Sequence, residues 1–174
     1  MISLVIGGAR SGKSAFAQTL AEGNNKPVLY VATATASDNE MAERIAHHQR
    51  NRPLHWQLQE HPLELIAALE REAQLPQTIL VDCLTLWLNN QLFHHPEQDF
   101  SQLASALAGV ASRATADIIF VANEVGLGII PLGNLSRQFV DEAGRLNQAL
   151  AKVADQVFFI AAGLPLTLKA IASD

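Results

Sequence analysis

Ile2-Ser3-Leu4-Val5-Ile6 runs straight into Gly7-Gly8-Ala9-Arg10-Ser11-Gly12-Lys13-Ser14. The first five residues form a short, almost unbroken apolar run that two glycines end, as in a buried central strand. The next eight fit G-x-x-x-x-G-K-[ST], and residues 13–22 continue as a helix. A strand, a glycine-rich turn and a helix are the setting in which this motif is a phosphate loop. Its glycines let backbone amides close on phosphate oxygens. Lys13 brings a mobile positive charge to the β- and γ-phosphates, and Ser14 offers a hydroxyl to Mg²⁺. The helix presents its N-terminus to the anion. Gly7, Gly8, Ala9, Arg10, Ser11, Gly12, Lys13 and Ser14 are therefore the expected nucleotide-binding residues, Lys13 acting through its charge.

The rest of the chain repeats the alternation. Apolar runs at 27–32, 78–82, 117–122 and 156–161 read as strands, with a short strand at 54–59 carrying Trp56 and an edge strand at 165–171. Helical spacing marks 63–73, 84–92, 100–111 and 134–153. A further helix over 38–50 opens with Ser37-Asp38-Asn39-Glu40, a capping box. Residues 92–99, with His94-His95, read as a Pro-broken surface loop. Strands alternating with helices predict an α/β fold with a mostly parallel central sheet flanked by helices. No repeat or linker divides residues 1–174, so one domain is expected.

Composition narrows the function. At 174 residues the chain has about one domain's length. With 49% hydrophobic and 17% charged residues it has the composition of a packed globule, not of a disordered chain. A single cysteine, Cys83, excludes an internal disulfide and a four-cysteine zinc site. The net charge of −5, without a basic stripe, argues against general nucleic-acid binding. No apolar run approaches the roughly 18 residues of a membrane span, and the N-terminus lacks a leader pattern, so no membrane insertion and a cytoplasmic location are expected.

Three further features carry chemistry. Asp82 ends the apolar run Ile79-Leu80-Val81, as a metal-binding carboxylate does in phosphate-loop proteins, or as the N-cap of the helix that follows. On the helix expected at 38–50, Met41, Ile45 and His48 form an apolar stripe, while Glu40, Arg44, His47 and Asn51 form the polar one. His47 thus faces outward beside Arg44, as a base, a ligand or a covalent nucleophile, or as an ordinary surface histidine. Finally, Asn123-Glu124-Val125-Gly126-Leu127-Gly128 follows a strand and lies on the same side as the phosphate loop. It is either a ligand loop or a solvated connection.

Taken in order, these segments resemble the bifunctional adenosylcobinamide kinase/adenosylcobinamide-phosphate guanylyltransferase family of cobalamin biosynthesis. The resemblance covers almost the whole chain. It rests on 7–14, Tyr30-Val31-Ala32-Thr33-Ala34, Arg44-Ile45 with His47-His48, and Asp82-Cys83-Leu84-Thr85-Leu86-Trp87-Leu88 with Asn90. It continues through Asn123-Glu124-Val125-Gly126, Arg137, Gly144-Arg145, Gly163 and Lys169. Val140 departs from it, standing where relatives often carry an arginine.

The resemblance implies a RecA-like P-loop NTPase fold, a homotrimer, and two reactions. ATP or GTP phosphorylates adenosylcobinamide. GMP then passes from GTP to adenosylcobinamide-phosphate through a guanylylated histidine, which maps to His47. It also implies nucleotide contacts at Ala32, Thr33, Ala34, His48, Gln49, Arg50, Asn51, Glu60 and Asp82, with Mg²⁺ held by Ser14 and Asp82. The rival expectations are a simple phosphate-loop small-molecule kinase with no covalent intermediate, and a nucleotide-binding module without turnover.

Overall fold

The computed structural model describes residues 1–34 and 53–170. Its elements run β1 (Ile2–Gly7), α1 (Lys13–Gly23), β2 (Val28–Ala32), β3 (Gln57–Glu60), α2 (Leu65–Glu72), β4 (Thr78–Asp82) and α3 (Leu84–His94). They continue as α4 (Phe100–Ser112), β5 (Asp117–Asn123), α5 (Asn134–Val153), β6 (Gln156–Ala161) and β7 (Leu164–Lys169). The seven strands form one sheet in the order β3-β2-β4-β5-β1-β6-β7. All pairings are parallel except β6 with β7. The expected α/β architecture is therefore the observed one. The helix expected at 38–50, with His47 and His48, lies outside the described residues.

The central strands are apolar on both faces because both faces are covered. Alternate residues feed two cores. Leu4, Leu29, Ile79, Val81 and Phe120 pack with Trp87 of α3 and Leu107 of α4. Val5, Tyr30, Leu80, Ile119 and Val121 pack against Ala17 and Ala21 of α1. The small side chains of α1 bring the helix that follows the phosphate loop close to the sheet.

Element ends shift by a residue or two in several places, and two of the differences have a physical reason. The short strand is Gln57–Glu60, and Trp56 precedes it. The indole is buried in the α1-side core, so its apolar signal belongs to packing and not to the strand. Helix α3 runs to His94, placing that exposed histidine on its last turn instead of in the loop.

At the amino end of the strands Asp117 accepts hydrogen bonds from Lys26 Nζ at 2.7 Å and from the Met1 ammonium at 2.9 Å. Burial pushes its carboxyl up, but the Lys26 and N-terminal hydrogen bonds outweigh this and hold it below the usual carboxylate range. A depressed folded-state value contributes stability above the unfolded value of about 3.9 and loses it as pH falls through the folded one. Denaturant unfolding of Asp117→Asn against wild type should therefore show a stability gap near neutrality that narrows below about pH 4.

Candidate active site at the carboxyl edge of the sheet

The phosphate loop begins where β1 ends. Gly7 is closely packed: a Cβ there would stand 2.5 Å from the Ile160 carbonyl oxygen and 2.7 Å from Ser11 Oγ. A turn follows, with the Ser11 amide donating to the Gly8 carbonyl at 3.3 Å. Gly12 is the N-cap of α1 at φ 97°, a conformation that only glycine adopts without strain. Gly8, in contrast, meets no atom within 4 Å of its would-be Cβ, so the loop is open on that side.

Lys13 is the first residue of α1 and is buried. Its Nζ donates to the Gly8 carbonyl at 3.1 Å, which aims the ammonium back across the loop. Burial lowers its pKa from the ordinary lysine value, against the opposing pull of Cys83 and Asp82. The lysine thus lies within the field of the Asp82 carboxylate. Ser11 Oγ is buried with no partner among the described residues, as befits a hydroxyl that takes a phosphate oxygen.

A second loop braces the first. In the tight turn between β6 and β7, Ala162 and Gly163 have φ 51° and 78°. The Gly163 amide donates to the Ser11 carbonyl at 2.8 Å, and a Cβ on Gly12 would lie 3.0 Å from Gly163 Cα. Alanine at 163 adds a left-handed non-glycine residue at roughly 1–2 kcal/mol. Gly163→Ala should therefore weaken nucleotide binding about 3- to 10-fold by calorimetry, through a displaced phosphate loop, while the protein stays folded.

Asp82 ends β4, and its neighbours fix it. It does not cap α3: the N-cap is Cys83, with no side-chain cap bond. Instead Asp82 Oδ2 accepts from the Tyr30 hydroxyl at 3.1 Å. Thr33 Oγ1 donates to the Cys83 carbonyl at 2.7 Å and accepts from the Cys83 amide at 3.0 Å. Asn90 of α3 donates to the Thr33 and Pro62 carbonyls, and Trp87 Nε1 and Gln91 Nε2 to the Leu63 carbonyl. These bonds tie the ends of β2 and β4 and the segment after β3 to one helix. Thr33 serves this frame with its side chain. Burial and the Asp82 charge raise the Cys83 thiol to about 11, so it stays protonated and is no nucleophile near neutral pH.

Those expected site residues that the structure describes lie along one edge. Ala32 pairs with both Glu60 and Asp82, Asp82 with Val121, and Gly7 with Asn123. Glu60 is exposed and Ala34 half-buried there. Sequence reasoning assigned no role to Tyr30, Gln91 or Gly163; the buried polar residues of the apolar stretch 84–92 were the available signal. Arg137 and Lys169 serve structure: Arg137 donates to the Pro131 carbonyl, and Lys169 to the Ala151 and Lys152 carbonyls at the end of α5. His47, His48, Gln49, Arg50 and Asn51 lie outside the described residues.

The donor set fits the implied groups. A hydroxyl and a carboxylate, Ser14 and Asp82, are hard oxygen ligands of the kind Mg²⁺ takes together with phosphate oxygens. The loop amides, Ser11 Oγ and Lys13 suit the phosphates.

The chain is similar to several known proteins. The cobinamide kinase / cobinamide phosphate guanyltransferase family matches residues 3–168. The chain is 49% identical over 169 residues to the bifunctional adenosylcobalamin biosynthesis protein CobP of Pseudomonas aeruginosa, covering 97% of this chain and 98% of that one. It is 40% identical over 182 residues to CobU of Salmonella typhimurium, covering 97% and 100%. A DnaB-like replicative helicase superposes with a TM-score of 0.51 at 14% identity, over 91% of this chain and 46% of that one, a likeness in fold alone. With its RecA-like sheet and a phosphate loop and carboxylate at one edge, the chain belongs to the cobinamide kinase/cobinamide phosphate guanyltransferase family of enzymes.

Proposed function

We propose that this chain phosphorylates the aminopropanol hydroxyl of adenosylcobinamide with ATP or GTP and then transfers GMP from GTP to that phosphate. The observation that carries the reading is the meeting of Lys13, the open phosphate loop and Asp82 at one sheet edge, in a chain of this family. In the first step the hydroxyl oxygen bonds to the γ-phosphorus and the bond to the β–γ bridging oxygen breaks. Nucleoside diphosphate leaves with the electron pair, and the hydroxyl proton passes to water. Lys13 and the loop amides hold the transferred group and offset its charge, which is most of what phosphoryl transfer requires. Ser14 and Asp82 would hold Mg²⁺, which would further neutralise the phosphates.

In the second step a ring nitrogen of His47 bonds to the α-phosphorus of GTP, pyrophosphate leaves, and a phosphoramidate forms. An oxygen of adenosylcobinamide-phosphate then attacks that phosphorus and releases His47, giving adenosylcobinamide-GDP. Splitting the transfer in two is the use of a covalent intermediate. The nucleotide contacts assigned to Ala32, Ala34, His48, Gln49, Arg50, Asn51 and Glu60 belong to this proposal.

The enzyme works in the cytoplasm as a homotrimer in this reading. Leu127, Ile129, Ile130 and Leu132 on one loop and Leu164, Leu166 and Leu168 on β7 are exposed apolar residues that a second copy would cover. The test is incubation with adenosylcobinamide, GTP and Mg²⁺, with corrinoid products followed by chromatography and mass. Adenosylcobinamide-phosphate followed by adenosylcobinamide-GDP is expected. Phosphate alone would leave a simple kinase, and no product would leave a binding module.

A further inference from the structure

Asn123 is the last residue of β5, and β5 lies between the strand that leads into the phosphate loop and the strand that ends at Asp82. It pairs with Gly7, which places it about one strand spacing, roughly 4.8 Å, from the start of that loop. Side chains alternate along a strand, so Asn123 shares the face of Val121, which packs in the core beneath α1. Asp82 shares the face of Leu80, in that same core. Lys13, Asp82 and Asn123 therefore stand on one face at one edge.

The backbone at Asn123 is pinned on both sides. Its amide donates to Thr85 Oγ1 at 2.6 Å, and the next amide, of Glu124, donates to the Gly7 carbonyl at 3.0 Å. The side-chain oxygen, in contrast, is buried with no partner among the described residues. A buried acceptor left unpaired is costly, and such groups in native proteins call for an explanation. The strand order sets this residue between the strand that leads into the phosphate loop and the strand that ends at Asp82.

We infer that the Asn123 side chain bridges the two reacting partners of the phosphoryl transfer, its Nδ2 donating to the terminal phosphate and its Oδ1 accepting from the hydroxyl that attacks it. The inference rests on the kinase reading above and adds a residue to it. An amide suits this post because it donates and accepts at once and carries no charge to repel the phosphate. It takes no proton; the amide sets the line of attack, and the bonds made and broken are those already described. Holding two reactants in attack geometry is a large part of catalysis between them.

The test uses Asn123→Ala and the near-isosteric Asn123→Asp, with thermal melts confirming that each is folded. Affinities for ATP and ADP with Mg²⁺ are measured by calorimetry, and phosphoryl transfer to adenosylcobinamide by single turnover. In Asn123→Ala the transfer rate should fall about 100-fold, and the preference for ATP over ADP about 5-fold or more, while ADP affinity holds. In Asn123→Asp the added negative charge should weaken ATP more than ADP. An ATP-to-ADP ratio and transfer rate within about twofold of wild type in both variants would overturn the inference. If the wild type itself transfers no phosphate to the corrinoid, the kinase reading fails, and an unchanged ATP-to-ADP ratio still sinks this one separately.

Discussion

Lys13→Ala is expected to reduce phosphoryl transfer to adenosylcobinamide by roughly 1,000-fold, the scale seen when one preorganised charge-stabilising donor is removed. The size of the effect follows from where the ammonium sits. It is buried, it is held toward the loop by the Gly8 carbonyl, and Asp82 lies within its field. A charge in such a place needs no reorganisation as negative charge develops on the phosphate. The substitution should also weaken nucleotide binding, since the loop keeps its amides but loses its cation. Folding should survive, because Lys13 belongs to neither apolar core. Lys13→Arg should rescue little: a planar fork cannot replace a compact point charge in a buried slot. Steady-state kinetics with circular dichroism on both variants checks this. Near-wild-type turnover in folded Lys13→Ala would remove the lysine from the mechanism.

The second large effect concerns His47. His47→Ala should lower formation of adenosylcobinamide-GDP by at least about 1,000-fold, because losing a covalent nucleophile removes the route and not merely a contact. Folding should persist. In the proposed scheme phosphoryl transfer uses Lys13 and the phosphate loop without the histidine, so adenosylcobinamide-phosphate should accumulate in the variant. Cys83, with its raised pKa and buried position, offers no substitute nucleophile. Product analysis by chromatography decides the matter.

The sheet was legible because its inner strands are continuous apolar runs bounded by turn residues, and the long helices because their apolar positions recur at helical spacing. The phosphate loop was legible because its chemistry is local: eight consecutive residues make it. The short strand β3 was shifted because Gln57-Leu58-Gln59-Glu60 carries no strand signal of its own. It pairs with β2 alone, at the edge of the sheet, and Trp56 beside it is apolar for a different reason.

The frame of the site was not legible. Tyr30 meets Asp82 across 52 positions of sequence, Asn90 meets Thr33 across 57, and Gly163 meets Ser11 from the far end of the chain. Such pairings are set by strand order, and sequence periodicity carries no information about strand order. That Asp82 does not cap the following helix likewise needed the structure: the N-cap is Cys83, and the Asp82 carboxylate accepts from the Tyr30 hydroxyl instead.

The central question is whether one chain carries both a phosphate-loop kinase and a covalent guanylyltransferase. Intact-protein mass after incubation with GTP and Mg²⁺, with His47→Ala alongside, tests this most directly. A gain of one GMP, labile to acid and absent from the variant, is expected. No gain in protein that binds GTP, or the same gain in His47→Ala, would contradict it.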